Sequence, residues 1–334
     1  MKVLLPKSKT IANSGIGRAI DQQEKNLKAN GIEIAKNLEE ADIIHINYYF
    51  DDVYRLFKKA KKLEKPIVVH GHSTIQDTSM SFRLWKLYLP LMTNTFLRFY
   101  RKADLIITPT EYSKKLIQSY KGVTQNVIAI SNGINIANYD KKNANIEGFK
   151  KLINATDGDT VILSIGFPME RKGIIDFIEV ARKFPQYKFV WCGDLNWILR
   201  THNVNHAIAH KPNNVILPGF VSGDIVKGGL YFSKLFFFPS KEETEGIVVL
   251  EALATKTPIL IRDIGVYEDW LTDGVDCYKG KTNEDFAKKI EFILSHDNKK
   301  VIENGYQVAE KRNSQDTTKQ IIDIYNSLIK KDEK

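Results

Sequence analysis

Four short stretches of the chain carry residues whose types and spacing could do chemistry. In "PSKEETEGIVVLEALA", residues 239–254, Glu243 and Glu251 stand eight positions apart, with Glu242 and Glu245 beside the first and an apolar run between. Eight residues is slightly more than two helical turns, so both carboxylates project to about the same side if a helix runs from near Glu245. A carboxylate in so apolar a helix needs strong partners. A sugar or ribose diol offers two hydroxyl donors; the plainer alternative, a helix-start acid and one structural Glu, fits the apolar neighbours of Glu251 less well. In "MERKGIIDFIEVARKF", residues 169–184, Arg171 and Lys172 stand at a helix start, where cations oppose the helix dipole. An anionic ligand would resolve that conflict, and a solvated basic turn is the alternative.

The third stretch, "NSGIGRAI" at residues 13–20, follows a strand and opens a helix. Asn13 or Ser14 can cap it, and Gly15, Ile16 and Gly17 would let phosphate reach backbone N–H groups at the positive helix end. Close packing explains the glycines equally well. The full G-x-G-x-x-G pattern is missing, which counts against a dinucleotide dehydrogenase. The fourth is "VVHGHST", residues 68–74, where His70 and His72 share one face of a strand end. No third ligand sits at suitable spacing, so no metal is expected.

Short apolar runs separated by helix-length segments must position these residues. Runs at residues 3–5, 43–47, 67–70, 105–109 and 127–131, then at 161–166, 188–193, 215–219, 235–239 and 258–261, read as parallel strands buried on both faces. Two α/β units of about five strands each are expected, with a seam in the polar passage between Asn138 and Asp159. Ligands of such sheets bind beyond the carboxyl ends of the strands. That rule selects the residues after each run: 14–18, His72, 166–172, Gly193, Gly219 with Phe220, and 239–251.

The chain has 334 residues, which suits two domains, and a 43% apolar, 27% charged composition typical of folded proteins. A net charge of +9 suits an anionic partner. The basic residues are spread along the chain without a stacking face, so no nucleic acid is expected. The apolar setting of Cys192 points to a free thiol in a reducing compartment. No signal peptide or membrane-spanning segment is read, and a cytoplasmic protein, soluble or peripheral on a membrane, is expected.

Pro239-Ser240 followed by Glu243, Gly246 and Glu251 resembles the E-x7-E signature of the family 4 retaining glycosyltransferases. Matches to "VVHGHST", "ADLIITPTEYSKK", "SNGIN", "RKG" and "PGFV" run almost end to end. The chain is similar, more narrowly, to bacterial glycosyltransferases that build diglycosyl-diacylglycerols. The resemblance implies the α/β GT-B fold, two Rossmann-like domains with parallel sheets facing across a cleft. It places an acceptor- and membrane-facing domain at 1–150, a nucleotide-sugar domain at 151–310 and a C-terminal helix, 311–334, packing back on the first domain. It implies UDP-glucose or UDP-galactose as donor and a glycolipid acceptor, with no cofactor or metal. Glu243 would bind the donor sugar, Glu251 the ribose, and Lys172 with Arg171 the departing diphosphate, assisted by the Gly15–Gly17 amides. His72 would lie beside the reacting carbon. Gly166, Gly193, Gly219, Phe220, Gly246, Ile247 and Val248 complete the expected donor site. One departure stands out: Phe167 occupies the place of the arginine usual after the glycine of that strand, and Arg171 would have to substitute for it.

"FRLWKLYLPLMTNTFLRFYRK", residues 82–102, reads as an amphipathic helix kinked or restarted at Pro90. Its first half, with Phe82, Arg83, Trp85, Lys86 and Leu89, is expected to contact the anionic membrane or the lipid acceptor. The second half reads as core. Asp157-Gly158-Asp159, just before a strand, reads as a turn. A sugar-nucleotide epimerase or phosphorylase, or transfer to polysaccharide, teichoic-acid precursor or protein, are the competing readings.

Overall fold

The computed structural model describes residues 1–9, 15–221 and 223–332. It divides into two compact units: unit 1 comprises Met1–Thr78, Tyr88–Gly133 and Arg312–Lys334, and unit 2 comprises Ser79–Leu87 and Ile134–Lys311.

Unit 1 is built on a parallel sheet of β1 (Lys2–Leu4), β2 (Glu33–Ile34), β3 (Ile43–Ile46), β4 (Ile67–His70), β5 (Leu105–Thr108) and β6 (Val127–Ala129), in the order β2-β1-β3-β4-β5-β6. Its connections include α1 (Gly15–Ala29), α2 (Asp51–Lys62), α3 (Ile75–Thr78), α4 (Trp85–Tyr100) and α5 (Glu111–Ser119). Every residue of β3, β4 and β5 is buried, as expected of apolar runs covered by helices on both faces.

Unit 2 opens with α6 (Ile146–Leu152) and repeats the plan. Strands β7 (Val161–Ile165), β8 (Lys188–Cys192), β9 (Val215–Gly219), β10 (Leu235–Phe238), β11 (Ile259–Arg262) and β12 (Tyr278–Gly280) lie in the parallel order β12-β11-β10-β7-β8-β9. Around them run α7 (Ile174–Ala181), α8 (His202–Ala209), α9 (Gly223–Phe232), α10 (Ile247–Ala254), α11 (Asn283–Ser295) and α12 (Lys299–Lys311). The core centres on Phe177, Phe189, Trp191 and Phe237, all fully buried. The last helix, α13 (Ser314–Asp332), belongs to unit 1, where it packs against α1 and Tyr325 is fully buried.

Each sheet has six strands where five or so were expected. The additions, β2 and β12, are edge strands of two and three residues that lack a continuous apolar run. The units divide at Gly133/Ile134, ahead of the expected seam, because α6 packs against α9 and the Asn145 N–H donates to Asp224 O at 2.9 Å. Helix α4 starts at Trp85 and runs continuously through Pro90. Asp157 and Gly158 form a turn, with Asp157 paired to Lys150 and Asp159 to Lys188. Both cysteines are free and buried.

Candidate active site

The carboxyl ends of β7 to β10 in unit 2 gather most of the residues expected to bind the donor. Gly166, Gly193 and Gly219 follow or end three adjacent strands and are joined in a row: Gly166 N–H donates to Cys192 O at 2.9 Å and Gly193 N–H to Gly219 O at 2.8 Å. Phe220, next in the chain, is exposed.

Two glycines bring the charged residues together. Gly173 has φ +81°, and a Cβ there would lie 2.2 Å from Pro239 O, so the turn before α7 closes against the loop after β10 only with glycine. That closure places Lys172 Nζ 2.5 Å from Glu243 Oε1. Arg171 Nη1 lies 3.8 Å from the same oxygen and donates to Glu242 O at 2.7 Å, while its Nε donates to Ser81 Oγ at 3.0 Å. Ser240 Oγ donates to Glu243 Oε1 at 2.7 Å. Behind this layer Asp176 on α7 holds Lys241 at 3.1 Å and Arg262 at 3.2 Å, and Arg262 Nε donates to Pro239 O.

Glu243 is buried. Burial pushes its carboxyl up, but the Lys172 and Arg171 charges, with hydrogen bonds from Lys172 and Ser240, outweigh it and hold it below the usual carboxylate range. Lysine and arginine side chains held together at a strand end are the groups that bind phosphate.

The second glycine corrects an expectation. Gly246 is left-handed at φ +85° and caps α10, whose first residue is Ile247, so Glu243 precedes the helix rather than riding on it. The two-turn argument relating Glu243 to Glu251 therefore fails. Glu251 lies within α10, buried. Nor do Arg171 and Lys172 stand in the first turn of α7, which begins at Ile174 after the Gly173 cap; Glu243 supplies the negative charge expected of a ligand. Ile247 and Val248 lie in the first turn of α10, where backbone N–H groups lack helical partners.

Sequence reasoning missed Tyr267. It is fully buried, its hydroxyl has no hydrogen-bond partner among the described residues, and a Cβ on Gly246 would fall 2.8 Å from that oxygen. Burial first, and Glu243 next, raise its hydroxyl far above its ordinary value. Ser81 was missed as well, since a serine in a loop carries no periodic signal, and Ser240 was named only as part of the signature, without a role.

In unit 1, His45, His70 and His72 form a buried stack. The His70 and His72 rings lie 4.1 Å apart and 3° from parallel, on one face as expected. Gln23 Nε2 lies 3.1 Å from His45 Nδ1, and the Tyr325 hydroxyl 2.5 Å from it. With Nδ1 accepting, His45 Nε2–H donates to His70 Nδ1 at 3.2 Å. His72 Nε2–H donates to Asn47 Oδ1 at 2.9 Å, and Asn47 in turn donates to Gln23. Burial pulls His72 down to about 4 and, with repulsion from His72, His45 down to about 3, so both are neutral at pH 7. Gly15, Ile16 and Gly17 open α1, with Gly17 buried; Asn13 and Ser14, the expected caps, lie outside the described residues. Among the described residues no three His, Cys, Asp or Glu are grouped to hold a metal ion.

The expected membrane residues divide. Phe82, Trp85 and Leu89 are half-buried, whereas Arg83 and Lys86 are exposed. The exposed apolar side chains of this stretch are Leu87, Tyr88 and Leu91, together on the other side of the helix, and Leu84 in the turn just before it. No helix among the described residues is long and apolar enough to cross a membrane.

Comparisons with known proteins agree with this architecture. Residues 145–323 match the family Glycosyl transferases group 1, and residues 18–138 match Glycosyltransferase Family 4. The chain is 42% identical, over 99% of both chains, to the processive diacylglycerol alpha-glucosyltransferase of Acholeplasma laidlawii. It is 24% identical to the alpha-galactosylglucosyldiacylglycerol synthase of Streptococcus pneumoniae, covering 79% of this chain and 73% of that one. Among solved structures, Anabaena HepE in complex with UDP-glucose superposes with a TM-score of 0.78 at 17% identity, over 98% of this chain and all of that one. The chain therefore belongs to the family 4 glycosyltransferases and has their GT-B fold.

Proposed function

We propose that this enzyme is a retaining hexosyltransferase that moves glucose, or galactose, from a UDP-sugar onto a membrane glycolipid, with monoglucosyl-diacylglycerol as the first acceptor to test. The observation that carries this reading is end-to-end 42% identity to a diacylglycerol alpha-glucosyltransferase, which also favours glucose over galactose.

In this reading the Lys172–Glu243 pair lies in the donor site. Glu243 accepts hydrogen bonds from sugar hydroxyls, and Glu251 holds the ribose. Lys172 and Arg171, with the first-turn amides of Ile247 and Val248, stabilise the diphosphate as charge develops on it. Electrostatic help of this kind is worth about 10²–10³ in rate for one donor. Arg171 takes the part of the arginine replaced by Phe167, its guanidinium oriented beside Glu243 by Ser81 and the Glu242 carbonyl. The sugar C1–O bond to the diphosphate breaks, a bond from C1 to the acceptor oxygen forms on the same face, and the acceptor's proton passes to the leaving phosphate. His72, neutral and with Nδ1 unpartnered among the described residues, positions a hydroxyl; pulled down to about 4, it is too weak a base to hold the proton.

The protein works peripherally on the inner face of the cell membrane, because the acceptor's acyl chains cannot leave the bilayer cheaply, at about 0.8 kcal/mol per buried CH₂. Incubation with UDP-[¹⁴C]glucose and monoglucosyl-diacylglycerol vesicles, followed by thin-layer separation, tests the reading. Label in a diglucosyl lipid is expected; label only in free glucose would refute the acceptor.

A further inference from the structure

Unit 2 carries a second exposed apolar segment besides the start of α4. Leu84 and Leu87, with Trp197, Ile198 and Leu199, are each between 47% and 71% exposed. The two segments touch, since Arg83 N–H donates to Leu199 O at 2.8 Å. The loop at residues 195–200 is braced. Asn196 Oδ1 accepts from Ile198 N–H at 3.0 Å, Asn205 Nδ2 donates to Trp197 O at 2.9 Å, and Arg200 Nε donates to Leu195 O at 2.7 Å. The exposure of the three apolar side chains is thus held by side-chain hydrogen bonds on both sides of the tip. A patch of this kind on a soluble surface marks an interaction site.

We infer that Trp197, Ile198 and Leu199 form a membrane wedge that seats unit 2 directly on an anionic bilayer, alongside Leu84 and Leu87. The occupant is argued from charge. Arg83 and Lys86, exposed beside the patch, have no ion-pair partner among the described residues. Cations next to exposed Trp and Leu fit the headgroup region of an anionic membrane, where tryptophan is enriched. A second copy of this chain, also at net charge +9, would bring like charges together. The inference rests on the glycolipid-acceptor reading for its purpose, but not for its test. It also assigns membrane contact to the nucleotide-sugar unit, so donor and membrane binding reside in one body.

The test compares the full-length wild type with Trp197→Ser/Ile198→Ser/Leu199→Ser. Binding to vesicles of phosphatidylglycerol and phosphatidylcholine is measured by flotation, and UDP affinity by calorimetry serves as the folding control. The triple variant is expected to bind vesicles about tenfold or more weakly, at unchanged UDP affinity. In a Trp85→Phe background, where the other two tryptophans, Trp191 and Trp270, are buried, the Trp197 part of the emission is expected to shift blue on vesicle addition and to be quenched by brominated lipid. Wild-type flotation of the triple variant, or emission insensitive to vesicles, overturns the proposal. So does concentration-dependent dimerisation that only the triple variant loses. Failure of the acceptor reading looks different: wild-type protein would float with vesicles yet transfer no sugar to lipid. If the triple variant loses UDP affinity through misfolding, the brominated-lipid quenching of Trp197 decides alone.

Discussion

Two buried polar clusters stand near the carboxyl ends of parallel strands, one in each unit, and they handle burial in opposite ways. In unit 2, Glu243 keeps its charge, because Lys172 and Arg171 lie within 4 Å of its carboxylate. In unit 1, His45 and His72 give up charge; neutral His45 bonds Tyr325, Gln23 and His70, and neutral His72 bonds Asn47 through Nε2. A buried charge is retained where it is paired, and two cations held beside one carboxylate are groups that a diphosphate can use. The neutral stack can orient a hydroxyl but cannot neutralise an anion. The comparison predicts electrostatic catalysis in unit 2 and positioning in unit 1.

The sharpest way to break this contrast is to neutralise the charged cluster. Glu243→Gln and Lys172→Ala are each expected to lower kcat/KM for transfer by about 10²–10³ while the protein stays folded, as for loss of one preorganised electrostatic group. Wild-type kcat/KM in either variant, measured by release of UDP, would remove the cluster from the reaction. Circular dichroism separates this from unfolding.

Acid should act on the two clusters in different windows. His45 and His72 lie below their ordinary value in the folded chain, so the unfolded chain binds protons more readily below pH 6.5. Their contribution to stability is therefore complete above about pH 6.5 and is lost as pH falls toward 4, by up to about 1.4 kcal/mol per pH unit for each histidine. Glu243, held below the carboxylate range, contributes above its unfolded value and weakens the fold only in more acidic solution. Thermal melts at pH 7.5, 6 and 5 check this. A Tm that does not fall across that range would mean the histidines are not buried neutral.

The smallest expected effect is none. With Lys172 and Arg171 supplying charge, transfer should survive excess EDTA; loss of activity restored by Mg²⁺ or Mn²⁺ would show that the cations are insufficient.

Ten of the twelve strands were legible because strands covered on both faces read as continuous apolar runs. Strands β2 and β12 were not, since an edge strand of two or three residues has too little buried surface to leave a pattern. The identities of Glu243, Lys172 and Arg171 as a group were legible through the family signature. Their geometry was not: periodicity put Glu243 on a helix, and only the left-handed Gly246 and Gly173 reveal two turns folded against each other. Tyr267 reaches Gly246 through tertiary proximity alone, which no local spacing encodes. The water-facing stripe of α4 was misplaced for a related reason. Phe82, Trp85 and Leu89 form a good helical stripe, but so do Leu87, Tyr88 and Leu91, and packing decides which one faces water.

The central claim is that the charged cluster of unit 2 receives the nucleotide diphosphate. Titration of UDP by calorimetry into wild type, Lys172→Ala, Glu251→Ala and His72→Ala tests it most directly. Affinity should fall about tenfold or more in Lys172→Ala, where a charge-assisted contact is lost, and fall in Glu251→Ala, where the ribose loses its acceptor, while His72→Ala binds as wild type. Unchanged affinity in Lys172→Ala, with loss in His72→Ala, would contradict the account.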